Sequence, residues 1–237
     1  MTTMDRCRHH FCRHHCTLLV GIALLLSLLG CAEFAGLNPV LRRQWREDEK
    51  ILPSFHAHLK RIRALESQAP SLPTEEQQRV ARELTRLIRE DRNTLLRTAA
   101  VRSLSAFPVE MSREGVHAAA TDKEPRLREV ACLAMGRLGD SSSIGLLAAL
   151  LQNDEDLDVR LAASNQLANF SEPLAIQALG TALDDPNPAI QFRAVQSLER
   201  ASGRDYGRDL ELWRAYVRGE DPPERVPSIA ERFRTWF

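Results

Sequence analysis

Asp122–Leu138 reads DKEPRLREVACLAMGRL, and Asp154–Phe170, reading DEDLDVRLAASNQLANF, aligns with it without a gap. Two further stretches fall into the same register: DRNTLLRTAAVRSLSAF from Asp91 and DPNPAIQFRAVQSLERA from Asp185. The four units start 31, 32 and 31 residues apart, a period in the range of solenoid repeats. Five columns at i, i+3, i+4, i+8 and i+11 trace one stripe of a helix. They hold Leu96, Ala99, Ala100, Leu104 and Phe107 in the first unit, and Leu127, Val130, Ala131, Met135 and Leu138 in the second. Val159, Ala162, Ala163, Leu167 and Phe170 follow in the third, then Ile190, Arg193, Ala194, Leu198 and Ala201. Only Arg193 breaks the apolar pattern. Large residues alternate with alanine, which lets neighbouring helices approach along a shared ridge.

Between these helices the sequence carries signals for second ones. Ser112, Ser143 and Ser171 are read as N-caps, and Pro125, Pro173 and Pro188 suit first turns, where a missing amide costs little. Val116 and Ala119, then Leu147, Leu150 and Leu151, then Ile176, Leu179 and Leu183 supply the apolar faces. One helix pair cannot bury such a stripe alone, so stacking is required. The fold class is therefore all-α: an α-solenoid of stacked antiparallel helix pairs. Composition agrees, since 34 Leu, 28 Ala and 29 Arg stand against 19 Val and Ile together.

Upstream, Thr74-Glu75-Glu76-Gln77 is read as a capping box opening a helix with Val80, Leu84, Leu87 and Ile88 on one face. Phe55, His58, Leu59, Ile62 and Leu65 mark an earlier helix, and Leu41, Trp45 and Ile51 another. Downstream, Tyr206, Trp213 and Tyr216 are suited to sealing the last stripe, and a short helix with Ile229, Phe233 and Trp236 follows Pro222 and Pro223. Domain boundaries are set at 1–30 for a signal peptide, 31–73 for a tether and N-terminal helices, 74–203 for the solenoid and 204–237 for a helical cap.

The repeats resemble HEAT repeats of the short bacterial type, similar to those of phycobilisome lyases. The resemblance implies an Asp-to-Arg motif, met here by Asp91 with Arg97, Asp122 with Arg128, and Asp154 with Arg160. In the fourth unit Asp185 meets Gln191, so the ladder is expected to end there. These arginines are read as stacking supports through carboxylate and carbonyl bonds, with an anion-binding stripe as the alternative. For function the resemblance implies scaffolds, inhibitors, adaptors and a few enzymes.

The N-terminus reads as a targeting segment. Arg6, Arg8 and Arg13 precede TLLVGIALLLSLL at residues 17–29, an uncharged run too short for a bilayer-spanning helix. It closes on Leu28-Leu29-Gly30-Cys31, which resembles the lipobox of bacterial lipoproteins. The resemblance implies cleavage before Cys31 and its acylation, a stable anchor, and Ala32 at the next position favours the outer membrane. Leu29 departs from the small residue usual before the glycine. Cys7, His9, His10, Cys12, His14, His15 and Cys16 look like zinc ligands, but they lie in the segment expected to be removed.

No phosphate-binding glycine loop, nucleophile elbow or paired-histidine metal motif appears after Cys31. Neither a metal nor another cofactor is expected. His117, Cys132 and the pair His56 and His58 read as ordinary helix residues, and Asp154, Glu155, Asp156 and Asp158 as complements to a helix dipole. Charge is balanced at 32 basic and 32 acidic residues, which excludes a basic nucleic-acid binder. The reading is a non-catalytic, lipid-anchored protein interaction module at the bacterial envelope, with a structural spacer or a lyase-like enzyme as alternatives. Its partner is an unidentified protein close to the membrane. Arg126, Glu129, Asp158, Leu161, Gln191 and Phe192 lie off the apolar stripe and are candidates for contact.

Overall fold

The structure is a computed structural model, and residues 55–223 are described. The signal segment, Cys31, the Leu41-Trp45-Ile51 stretch and the Ile229-Phe233-Trp236 stretch lie outside the described residues. The described residues from His58 onward form one compact unit; of the unit that ends at Ala57, only the first residues of one helix are described.

Among the described residues there are ten α-helices and no strand. They are α1 Phe55–Gln68, α2 Thr74–Glu90, α3 Thr94–Leu104, α4 Glu110–Ala119 and α5 Pro125–Leu138. Then come α6 Ile144–Asn153, α7 Leu157–Leu167, α8 Pro173–Thr181, α9 Pro188–Ser202 and α10 Leu210–Val217. The four aligned units start α3, α5, α7 and α9, and these lie side by side in chain order as one layer. The intervening helices make the second layer, with α2 against α4, α6 against α8 and α8 against α10. Each first-layer helix also packs on the helix preceding it, so every unit is wedged between two neighbours. The five-column stripe is the core: all its positions are buried except Leu138, Ala162, Arg193 and Ala201, which are half-buried.

Helix starts explain the register. Asn93 accepts from the amides of Leu95 and Leu96 at 3.0 and 3.3 Å, and Asp156 from those of Asp158 and Val159 at 3.0 and 3.1 Å. Asn187 caps α9 through the Ala189 amide at 2.9 Å. α5 and α9 carry Pro125 and Pro188 at their first turns as expected. Of the expected serine caps, Ser143 does stand at the N-cap position of α6, though its side chain makes no cap bond, and Ser112 and Ser171 are corrected. α4 starts after Val109, which leaves Ser112 buried inside the helix with its hydroxyl lacking a partner. Asp140, through the Ser142 amide at 3.0 Å, caps the 3-10 turn Ser141–Ser143 that leads into α6, and Glu172 precedes Pro173 in α8. The Thr74 capping box does not form either. Pro73 holds the cap position, and Gln77 instead donates back to the carbonyls of Ala69 and Leu72 at 3.2 and 2.9 Å, completing the preceding turn.

Gly115 marks a close approach of α4 to both α2 and α3. A Cβ at Gly115 in α4 would stand 2.4 Å from Thr85 Oγ1 of α2 and 2.6 Å from Leu104 Cδ2 of α3. Both neighbours are buried. Gly115→Ala is therefore expected to destabilise the fold by about 1–3 kcal/mol through overpacking, read as a lower urea midpoint at unchanged slope.

At the C-terminal end Trp213 is fully buried and meets the Tyr206 ring edge-on, with centroids 4.9 Å apart. Its indole donates to the Gly207 carbonyl at 3.0 Å. Tyr206 and Trp213 are thus buried at this end, with Tyr216 half-buried beside them.

Candidate functional site

The ladder is the most ordered polar feature, and its geometry corrects the expected pairing. Each arginine reaches not the aspartate of its own unit but that of the next. Arg97 pairs with Asp122, Arg128 with Asp154 and Arg160 with Asp185. The cause is helix geometry: Arg97 lies in the first turn of α3, on the flank facing the loop before α5. Arg128 shows the full pattern. Its Nε and Nη2 donate to the two Asp154 oxygens, each at 2.7 Å, while Nη1 donates to the carbonyls of Asp122 and Lys123 at 2.9 and 3.2 Å. Arg97 and Arg160 add bonds to the carbonyls of Ile88 and Leu151 at 2.7 and 2.9 Å.

Every aspartate also shapes its own loop. Asp91, Asp122, Asp154 and Asp185 accept from the amide two residues on, at 2.6, 3.0, 2.9 and 2.8 Å. Asp185, left out of the expected ladder, is its last rung, whereas Asp91 pairs with no arginine among the described residues; Gln191 donates to the Asp185 carbonyl at 2.8 Å, substituting for the carbonyl contact of an arginine. Of the two readings of these arginines, stacking support is the one their geometry fits, because their donors are committed to neighbours.

Burial tends to raise the Asp154 carboxyl, but the Arg128 guanidinium and the Asp156 amide outweigh it and hold it below the usual carboxylate range. At Asp122 burial is likewise outweighed, by the Glu124 amide and Arg97. A carboxyl held low in the folded chain stabilises it above the unfolded pKa of about 3.9 and loses that contribution as pH falls through the folded value. Stability is thus expected to be level from neutral pH to about pH 5 and to fall below about pH 4. Urea midpoints across that range check it, and Asp154→Asn is expected to flatten the acid limb.

The two residues on which nucleophilic or acid-base chemistry would call are tied up. Cys132 is fully buried in α5, and burial first, then the nearby Asp154 charge, push its thiol up to about 12. His117 Nε2 lies 2.9 Å from Ser143 Oγ, linking α4 to the turn before α6, and Ser143 is buried. Cys132 is expected to react with a thiol reagent at pH 8 at least roughly 1,000-fold slower than in the unfolded chain, as followed by mass spectrometry of its peptide. No group of three or more metal-ligating side chains comes together among the described residues. No helix among them is long and apolar enough to cross a membrane.

The candidate contact residues divide. Gln191 serves the ladder, and Arg126 and Glu129 pair with each other at 2.5 Å on α5. Asp158 is exposed and Leu161 half-buried. Phe192 stays 46% exposed with the Arg208 guanidinium 5.5 Å from its ring centre. The structure adds Leu95, Leu133 and Leu157, which fall between the columns of the stripe, and Leu174 at the start of α8, as exposed apolar side chains that the sequence reading passed over. It adds a groove of about 380 Å³ between α1 and α2, floored by Ile62, Leu65, Val80, Leu84 and Leu87 and edged by Arg61 and Glu83.

A family profile described as HEAT repeats matches residues 81–168 and 145–225, more than half of the chain. This chain belongs to the HEAT-repeat family. Among curated relatives, the HEAT-repeat chain is similar to the uncharacterized phycocyanin operon protein Z of Pseudanabaena tenuis (strain PCC 7409). The two are 33% identical over 85 residues, which cover 32% of this chain and 42% of the relative. Among solved structures it is similar to human deoxyhypusine hydroxylase in complex with glycerol, at 19% identity and a TM-score of 0.49, covering 52% of this chain and 44% of that one. The HEAT-repeat chain thus spans less than half the length of either.

Proposed function

We propose that this HEAT-repeat protein is a lipid-anchored, non-catalytic interaction module at a bacterial envelope membrane, acting by local concentration and surface complementarity. The observation that carries the reading is the division of labour among its polar groups. The ladder arginines, Cys132 and His117 are engaged in holding the repeats together, while Leu95, Leu133, Leu157 and Phe192 stand exposed on the first-layer helices. Repeats that spend their buried polar groups on stacking and leave apolar side chains outward are suited to binding another protein. Envelope placement rests on the lipobox-like Leu28-Leu29-Gly30-Cys31, after which an acylated Cys31 would fix the chain to the membrane. The absence of aspartate after that cysteine points to the outer membrane as its residence.

The test is affinity recovery with mass spectrometry from gently solubilised membranes, comparing the native chain with Cys31→Ser and recording both intact masses. The expected result is acylation at Cys31 and stoichiometric recovery of one envelope protein. An unacylated native chain overturns the anchor. Recovery of nothing above background overturns the module and leaves the spacer, and turnover abolished by Cys132→Ser or His117→Ala would establish a lyase-like enzyme instead.

A further inference from the structure

The groove between α1 and α2 is apolar at its floor and carries opposite charges on its two edges. Ile62, Leu65, Val80, Leu84 and Leu87 make the floor, and the volume of about 380 Å³ lies in the range of binding clefts. On the α1 edge stand Arg61 and, one turn before it, His58; on the α2 edge stands Glu83. Arg61 and Glu83 are exposed, and among the described residues neither makes an ion pair or a side-chain hydrogen bond, with the other or elsewhere. The neighbouring charges on α2 are taken: Arg79 pairs with Glu76, and Arg86 with Glu90 at 2.8 Å. Glu83 lies in the same row, seven residues from each of those glutamates, and is the member that no arginine holds. The apolar floor keeps the two edge charges apart, so both are available to a guest.

We propose that this groove receives an amphipathic helix of a partner protein, laid along α1 and α2 with an acidic flank toward Arg61 and a basic flank toward Glu83. The proposal rests on the interaction-module reading for the existence of a partner and is independent of the lipid anchor. From His58 to Gln68 the α1 edge covers three turns, roughly 15 Å, which accommodates guest side chains at i, i+4 and i+7. Burial of those side chains supplies the affinity, and the edges supply the choice of guest. An anionic amphiphile would satisfy Arg61 but meet Glu83, and a cationic one the reverse. A helix whose apolar face is bordered by acid on one side and base on the other fills the floor and satisfies both edges.

The test titrates the full chain, purified from membranes, against three fluorescent helical peptides that share one leucine face. The first has glutamate along one flank and lysine along the other, the second glutamate along both, and the third lysine along both. The mixed peptide is expected to bind at least about five-fold tighter than either of the others, each of which turns one edge contact from attractive to repulsive. Arg61→Glu is expected to make the lysine-flanked peptide the best guest, and Glu83→Lys the glutamate-flanked one. Both positions are exposed, so the exchanges leave the fold intact, which the urea midpoint checks. Leu87→Glu, in the floor, is expected to abolish binding of all three. Failure of every peptide to bind, or a preference that does not move with the edge exchanges, overturns the proposal. A photo-crosslinking residue at position 87 then reports the guest in membranes, and the expected product joins it to a partner segment with one acidic and one basic flank. A crosslink to this chain itself, within one copy or between two, overturns the assignment to a partner. If affinity recovery and the crosslinker both return no other protein, the module reading falls and the partner with it, whereas discrimination among the peptides still decides the selectivity of the groove.

Discussion

Arg128→Ala is expected to lower the stability of the chain by about 3–5 kcal/mol, the cost of breaking a buried ion pair from one side. The reason lies in what the guanidinium leaves behind. The Asp154 carboxylate, whose side chain is only 4% exposed, loses both of its charge-assisted donors, and the carbonyls of Asp122 and Lys123 lose theirs. Arg128→Lys retains the charge but cannot span the two carboxylate oxygens and the two carbonyls, so it should recover less than half of the loss. In a cycle with Asp154→Asn the coupling is expected to be about 2 kcal/mol. Arg126→Ala, two residues away in an exposed pair on the same helix, serves as the control and should cost no more than about 0.5 kcal/mol. Thermal unfolding would register the contrast as a melting temperature lower by roughly 6–20 °C for Arg128→Ala and by at most about 2 °C for Arg126→Ala. Equal losses at the two positions would show that the ladder is not an energetic part of the fold.

Trp213→Ala is the second large effect, at about 3–5 kcal/mol, the range for removing a buried aromatic side chain. Trp213 fills the end of the core with its ring edge against Tyr206 and its N–H on Gly207, and a Cβ at Gly180 of α8 would stand 2.4 Å from Val217 of α10, so the cap lies close on the preceding helix. In a repeat array each unit depends on its immediate neighbours, so the damage should be local. Hydrogen exchange is expected to lose protection in α9 and α10 while α2, α3 and α4 retain theirs. A uniform loss along the chain would instead mean that the repeats unfold as a single cooperative block.

Much of this architecture was readable because a helical stripe is a strong signal when repeated. Leu127, Val130, Ala131 and Met135 recur in phase with Val159, Ala163 and Leu167, and burial follows the columns. The ladder residues were readable by identity but not by partner, since a pattern aligned within units cannot say that Arg97 reaches forward to Asp122. Two of the three serine caps were misplaced because short connections leave several residues within reach of each helix start, and backbone geometry put Val109 and Glu172 at the cap positions in place of Ser112 and Ser171. The exposed leucines and the α1/α2 groove carry no periodic signature: Leu95 and Leu133 differ from ordinary surface residues only in what surrounds them.

The forward offset of the ladder has a consequence for how such a chain can lengthen. Each of the first three units carries a donor for the unit after it, and each of the last three begins with an acceptor for the unit before. A tandem duplication of any stretch of 31 or 32 residues within the array therefore produces a junction that is already complementary, with no new surface to be selected. Growth at the C-terminal end is different. Gln191 supplies the carbonyl contact but not the guanidinium reach, so an added unit there would lack its rung until that codon changed. A unit copied inside the array would thus keep its rung, whereas one added after the Gln191 unit would not.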